Sequence, residues 1–178
     1  MGIFRQVGAV LLAAGLCFAQ SPGSKSPSVT VAPIETITVT RGSSGPVEIH
    51  FRVAPGFHIN SNTPKSEFLI PTALKLEAPT DIAISKVTYP EGKDMSFAFS
   101  PDEKLNVYTG DFAVDLTVRP MHSVLPTKYA FHGYLKYQAC DNAACYPPKQ
   151  LPVNFEVKVL KGVEAGAKNP AQSPHAHR

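Results

Sequence analysis

The chain has 178 residues, 43% of them hydrophobic, and its 17 lysines and arginines against 14 aspartates and glutamates give a formal net charge of +3. This near-balance excludes nucleic acid or an anionic surface as the main partner, and the length suits one domain with its own core. No glycine-rich phosphate loop, zinc-ligand spacing or haem-attachment motif occurs, so we predict no cofactor and no metal site.

The first nineteen residues are typical of an export signal. Arg5 supplies a positive start, residues 7–18 are apolar, and small residues stand where a signal peptidase would cleave before Gln20. The apolar stretch is too short for a stable membrane anchor. A lipid-modified Cys17 is the alternative, which Leu16 disfavours because a small residue is normally required there. We predict a signal peptide over residues 1–19 and a periplasmic or secreted location.

The two ends of the remaining chain lack the residues of a packed core. Residues 20–28 are predicted to be a flexible linker and residues 162–178 a disordered tail, which leaves a folded domain over residues 29–161. His175 and His177 in the tail could hold a metal ion loosely. Two histidines in such a segment are more often solvated, so we assign no site there.

Alternation of apolar and polar side chains predicts strands throughout this domain. The clearest patterns lie within residues 47–53, 112–119, 129–140 and 153–159. Weaker candidates are residues 36–40, 73–77, 82–88 and 105–108. No segment shows a helical period, and the 17 prolines and 12 glycines lie between the strands as turn residues. About seven to nine short strands favour an all-β, immunoglobulin-like antiparallel sandwich.

The last predicted strand but one leads into a cysteine pair. Once Cys17 is removed with the signal, Cys140 and Cys145 remain, and an oxidising compartment favours a disulfide between them. If the strand from Tyr129 keeps its pleat, Cys140 lies on its polar face, pointing away from the core. Asp141 then begins a turn. We therefore predict a disulfide near the surface at one end of a hairpin.

The residues alone leave two roles open for this disulfide. A structural role is the commoner one for a lone pair in an exported domain. Closing a six-residue loop, however, contributes only about 2 kcal/mol in the loop-entropy model. A short, accessible disulfide is also one that a partner thiolate can attack, although Asp141 beside Cys140 would disfavour a thiolate by repulsion. The residue pattern by itself favours the structural role.

The flanking residues add a resemblance to a known family. Residues 137–140, YQAC, together with residues 145–148, CYPP, resemble the active-site hairpin of the N-terminal periplasmic domain of the thiol:disulfide interchange protein DsbD family. That family carries a YQ-x-C…CYPP pattern on an immunoglobulin-like fold. Further similar segments are residues 55–60, 68–71, 89–90 and 105–110. The similarity spans about residues 47–159.

The resemblance implies a thiol-disulfide oxidoreductase. Such a protein passes reducing equivalents through mixed disulfides, with Cys145 bonding to the acceptor and Cys140 resolving that bond. The implied acceptors are thioredoxin-like periplasmic proteins, such as disulfide isomerases or the thioredoxins of cytochrome c maturation. Because no transmembrane or thioredoxin-like domain follows in this chain, a separate membrane protein would donate the electrons. No nucleic acid partner is expected, and the oligomeric state is not predicted.

The resemblance also implies which side chains lie near the cysteines. These are Tyr137, Gln138, Tyr146 and Pro147 beside the pair, and Phe97 and Phe99 in a shielding cap loop over about residues 97–103.

This sequence differs from the family's pattern in three respects. Four residues separate the cysteines, one fewer than in the best-known member, and the acidic-aromatic cap sequence is not reproduced. His58 and Asn60 stand where that member has tyrosines. His58 could tune a thiolate if it lies close, but we favour a solvated strand histidine.

The alternative function is non-enzymatic. In that case the chain is an immunoglobulin-like binding or assembly module whose Cys140–Cys145 bridge only pins a hairpin. A reduction potential below about −300 mV would be typical of such a structural bridge.

Overall fold

The computed structural model describes residues 28–162, and these form twelve strands and no helix. The strands are β1 Val29–Val31, β2 Ile37–Thr40, β3 Gly45–Val53, β4 His58–Asn60, β5 Ala73–Glu77, β6 Ile82–Thr88, β7 Lys93–Phe97, β8 Ser100–Tyr108, β9 Asp111–Pro120, β10 Lys128–Tyr137, β11 Ala139–Cys140 and β12 Lys149–Leu160. Within this range there is accordingly no helix that could cross a membrane. The predicted signal peptide, the linker before residue 28 and the tail from residue 163 lie outside the described residues.

Two four-stranded sheets pack face to face as a sandwich. One has the order β1-β3-β9-β6 and the other β2-β12-β10-β5. All their pairings are antiparallel except that of β2 with β12. These orders correspond to the two sheets of an immunoglobulin constant-type domain, with the first strand divided between them. The predicted all-β, immunoglobulin-like sandwich is confirmed, and its eight strands fall within the seven to nine predicted.

The inward faces of these strands form one hydrophobic core. In β3 the burial alternates without exception, and Ile49 and Phe51 are 0% and 2% exposed. Phe51 stacks on Phe112 of β9 with ring centroids 5.2 Å apart, and Phe131 of β10 stacks on Phe155 of β12 at 4.8 Å. Each such buried side chain contributes roughly 1.5–3 kcal/mol. The apolar positions of the predicted strands therefore hold the sandwich together.

A tyrosine corner marks the start of β10. The Tyr129 hydroxyl donates a hydrogen bond to the carbonyl of Leu125, four residues upstream, at 3.0 Å. In immunoglobulin-like domains this feature lies at the beginning of the sixth main strand. The cysteine hairpin therefore follows that strand, at the end of the sandwich where β10 turns back towards β12.

A third sheet, of order β11-β4-β8-β7, brings the strand total to twelve, above the predicted number. Its strands come from segments inserted between those of the sandwich. β8 begins at Ser100, so the predicted cap loop over residues 97–103 is not a loop but the tip of the β7–β8 hairpin. Only Ala98 and Phe99 form its turn. We call residues 97–99 the cap.

Candidate functional site

The chain changes sheets just before the first cysteine. β10 pairs with β12 up to Tyr137, whereas β11 pairs with β4, with Ala139 opposite Ile59 and Cys140 opposite His58. Gln138 belongs to neither strand. This change of partner carries the cysteine hairpin out of the sandwich and into the third sheet.

The burial of Cys140 is a correction to the sequence prediction. Cys140 is 0% exposed, whereas the predicted position near the surface would leave it accessible to solvent. Ala139 belongs to the main hydrophobic core and Cys140 does not, as the alternation predicts, but the side of β11 that faces away from the core is covered as well. Cys145, in contrast, is exposed. The two cysteines therefore differ in their exposure to solvent.

The structure contains the predicted disulfide between Cys140 and Cys145. The two residues oppose each other as an antiparallel bridge, with Cα atoms 3.9 Å apart. The turn between them is organised by Asp141, whose Oδ1 accepts hydrogen bonds from the backbone N–H groups of Ala143 at 2.7 Å and Ala144 at 2.8 Å. Aspartate commonly stabilises turns in this way, by accepting hydrogen bonds from backbone N–H groups two or three residues later.

Asp141 also binds the tyrosine that follows the second cysteine. The Tyr146 hydroxyl donates to Asp141 Oδ2 at 2.7 Å. This bond, with those from Ala143 and Ala144, holds the pKa of Asp141 below its ordinary value, and the same bond raises the pKa of Tyr146. Asp141 is therefore a carboxylate at neutral pH, and its charge is shared among three donors.

Of the other residues predicted beside the cysteines, Gln138 and Tyr146 brace the hairpin. The Gln138 side chain donates to the Tyr146 carbonyl at 3.1 Å, and the Tyr146 ring packs edge-on against Phe57 at 5.9 Å. Tyr137 is buried, and its hydroxyl accepts a hydrogen bond from the Val29 N–H at 3.3 Å. Pro147 is exposed just beyond the hairpin.

His58 lies between Cys140 and the cap. Because the two residues are directly opposite in neighbouring strands, the His58 and Cys140 side chains lie on the same face of the third sheet. The imidazole stacks on the Phe97 ring at 3.8 Å, and Phe97 stacks on Phe99 at 5.6 Å. Phe97 is 9% exposed and Phe99 37%. A stack of three rings thus runs from beside Cys140 to the surface.

The expectation of a solvated His58 is wrong. The residue is 3% exposed because β4 lies between β8 and β11 and the Phe97 ring lies on the imidazole. Burial lowers the pKa of His58 from 6.5 to about 4, and the charge of Asp141 opposes this only in part. The imidazole is therefore neutral at pH 7. Its Nε2 atom is buried and has no hydrogen-bond partner.

Asn60 anchors a different segment. Its Nδ2 donates to the Ile70 carbonyl at 3.0 Å, and its backbone carbonyl accepts from the Thr72 hydroxyl at 2.6 Å. Within residues 28–162, the hydrogen bonds of its side chain go to this loop and not to the cysteine hairpin. Asn60 therefore shapes the far end of β4.

A groove of about 610 Å³ runs beside the cap and the inter-cysteine turn, and sequence reasoning did not foresee it. Its wall includes Phe57, His58, Met95, Phe97 and Asn142. These residues come from three separate chain segments, so no local sequence pattern could predict the groove. No group of three metal-ligating side chains comes together anywhere in the described part of the chain.

Comparison with known proteins gives a family match. The family model described as "Thiol:disulfide interchange protein DsbD, N-terminal" matches residues 28–156. No curated protein sequence is significantly similar to the chain.

Several solved structures are similar. The reduced N-terminal domain of DsbD from Neisseria meningitidis is 19% identical, with 63% of this chain and 75% of that chain covered and a TM-score of 0.40. The complex of the DsbD and PilB N-terminal domains from the same organism matches at 20% identity, 62% and 73% coverage and a TM-score of 0.38. A ScaB type I cohesin from Pseudobacteroides cellulosolvens matches at 16% identity, 75% and 94% coverage and a TM-score of 0.42.

Proposed function

The chain belongs to the family of the N-terminal domain of the thiol:disulfide interchange protein DsbD, and from this premise we propose that it carries reducing equivalents through the Cys140–Cys145 pair to oxidised partner proteins. Family membership and the disulfide together support thiol-disulfide exchange in general. The finer proposal concerns the direction of transfer, the order of the two cysteines and the partners.

The unequal access of the two cysteines is the observation that carries the proposal. In exchange, a thiolate attacks a disulfide sulfur that it can reach. Cys145 is exposed and Cys140 is 0% exposed. Cys145 is therefore the residue that bonds to another protein, and Cys140 is the residue that resolves that bond from within.

The transfer proceeds in two displacements. The Cys145 thiolate attacks one sulfur of the partner's disulfide, that disulfide breaks, and the partner's other sulfur leaves as a thiolate. The Cys140 thiolate then attacks Cys145 Sγ, which forms the intramolecular disulfide and expels the partner's second sulfur. Two electrons pass to the partner, and the protons released by Cys140 and Cys145 are taken up by the partner's thiolates.

The cap and its groove suit selective access. Phe97 and Phe99 form an apolar stack that leads to His58, the neighbour of Cys140. The stack shields Cys140 from small oxidants and reductants, whereas a partner protein that displaces the cap gains access to Cys140 as well as to the exposed Cys145. The acceptors that we propose are thioredoxin-like periplasmic proteins, with a separate membrane protein as electron donor. The chain would thus act in the periplasm.

Trapping tests this proposal. A Cys140→Ser variant, reduced and mixed with an oxidised thioredoxin-class protein, should accumulate a mixed disulfide through Cys145, visible as a higher-mass band on a non-reducing gel. The matched Cys145→Ser variant should trap little, because Cys140 is buried. Equal trapping by both variants, or none by either, would contradict the proposal.

A binding or assembly module with a structural bridge is the second candidate. The observation that favours it is the bracing of the hairpin by Asp141, Gln138 and Tyr146, which would hold a permanent disulfide equally well. That candidate requires a bridge that resists reduction by thioredoxin-class reductants, and partner binding that persists when both cysteines are replaced.

A further inference from the structure

The unpaired nitrogen of His58 needs an explanation. Leaving a buried polar atom without a hydrogen bond costs about 1–3 kcal/mol, and such atoms are rare in folded proteins. His58 Nε2 is one of two such side-chain atoms in the described part of the chain. The residue directly opposite His58 is Cys140, whose sulfur in the disulfide has no hydrogen to donate and no charge. Reduction would give this sulfur a hydrogen to donate as a thiol, or a negative charge as a thiolate.

We propose that His58 is the proton acceptor for the Cys140 thiol in the reduced domain. The role rests on the proposed function and concerns its second displacement. The Cys140 Sγ–H proton moves to the imidazole, which leaves a thiolate that can attack Cys145 Sγ. As the intramolecular bond forms, the mixed disulfide breaks and the partner's sulfur leaves as a thiolate. That thiolate takes the proton from the imidazolium, and His58 returns to its neutral form.

The charges around His58 fit this role. The groups facing the ring are Cys140 from β11, Asp141 from the turn and the uncharged rings of Phe97 and Phe99 from the β7–β8 hairpin. In the disulfide form, burial outweighs the attraction of Asp141, so the ring is neutral. A Cys140 thiolate adds a second negative charge, and the two together favour the imidazolium. The redox state of Cys140 thus sets the protonation of His58.

The stacking on Phe97 tolerates both forms of the ring. The centroids of His58 and Phe97 are 3.8 Å apart with the ring planes at 17°. A neutral imidazole stacks on this face, and an imidazolium gains a cation–π attraction to the same face. The cap therefore needs no rearrangement when the proton arrives.

A chromogenic disulfide tests the role directly. The reduced protein is mixed in a stopped-flow instrument with 5,5′-dithiobis(2-nitrobenzoate). The first thionitrobenzoate release reports attack by Cys145, and the second reports resolution by Cys140. We expect His58→Phe to slow the second release about tenfold at pH 7 and to move its pH midpoint upward, towards an ordinary cysteine pKa of about 8.5. The first release should be unchanged.

Two further variants distinguish the proton-accepting role of His58 from a structural effect of replacing it. His58→Gln retains a polar side chain without a titrating proton acceptor, so it should behave like His58→Phe and serves if that variant folds poorly. His132→Gln changes an exposed histidine of β10 and should match the parent protein. A second release that keeps its pH midpoint in both His58 variants overturns the role of His58, as does equal slowing of both releases. A parent protein that gives no second release at all overturns the proposed function itself.

Discussion

The imidazole of His58 stacks on the phenyl ring of Phe97 with centroids 3.8 Å apart. His58 is also the residue opposite Cys140 in the third sheet. One side chain therefore touches the cap on one side and neighbours the buried cysteine on the other.

Removal of the inner cap ring should expose the buried Cys140 sulfur of the disulfide. We expect Phe97→Ala to speed reduction of the disulfide by dithiothreitol several-fold, measured by quenched alkylation and mass spectrometry. It should also lower the free energy of unfolding by about 3 kcal/mol, because Phe97 is buried. Phe99→Ala is the matched control, since Phe99 is 37% exposed and should cost much less stability. Unchanged reduction in Phe97→Ala would contradict the shielding role.

Burial of a neutral His58 should make stability depend on pH. The unfolded chain binds a proton at this residue below pH 6.5, whereas the folded chain does so only below about pH 4. Stability of the disulfide form should therefore fall as pH drops from 6.5 towards 4, by at most about 3 kcal/mol from this group. Carboxylates whose pKa is lowered in the folded state, such as Asp141, reduce stability only when they become protonated, below about pH 4.

Urea unfolding at pH 7 and pH 5 measures this dependence. His58→Phe should lose most of the difference between the two pH values, and His132→Gln should keep it. The same difference in His58→Phe as in the parent protein would show that another group titrates there.

The hydrogen bond between Tyr146 and Asp141 should be detectable as a raised pKa of Tyr146 in a tyrosine titration. Because Asp141 raises the pKa of Tyr146, Asp141→Asn should lower that pKa towards its ordinary value of about 10. Ultraviolet absorbance against pH records the change, and Tyr146→Phe identifies which transition belongs to this phenol. An unshifted transition in Asp141→Asn would show that the bond does not form in solution.

The tyrosine corner should contribute to the stability of the fold and have no effect on the reduction potential of the cysteine pair. Tyr129→Phe removes the hydrogen bond to the Leu125 carbonyl and should cost about 1 kcal/mol in the free energy of unfolding. The reduction potential of the Cys140–Cys145 pair should stay unchanged, because Tyr129 lies at the opposite end of β10. A shifted potential would mean that sandwich and hairpin are coupled more closely than their separate sheets suggest.

The longer strands of the sandwich could be predicted because one face of each is buried and the other is solvated. Residues 73–77 and 82–88 were predicted with the bounds that β5 and β6 have, and the alternation in β3 and β12 is nearly complete. In the third sheet, the predicted strand at residues 105–108 is confirmed as the end of β8, whereas β4 and β7 carry no such pattern. β4 has three residues, all buried, and β7 is exposed up to Phe97.

The sequence could predict which residues form the site, but not that Cys140 and His58 are buried. The YQ and CYPP segments identified the hairpin and its cysteines. The change of sheets at Gln138, which buries Cys140, depends on pairing with β4 and leaves no local trace. The burial of His58 depends on Phe97, a ring contact between residues far apart in the chain. Contacts of this kind depend on the three-dimensional fold and cannot be read from the spacing of residues along the sequence.

The reduction potential of the Cys140–Cys145 pair tests the central claim most directly. The protein is equilibrated with glutathione redox buffers, and thiols are counted by alkylation and mass spectrometry. A working carrier should have a potential above about −300 mV, so that it exchanges with thioredoxin-class proteins. A potential below that value, with a bond that thioredoxin does not reduce, would contradict the account and leave the disulfide as a structural bridge.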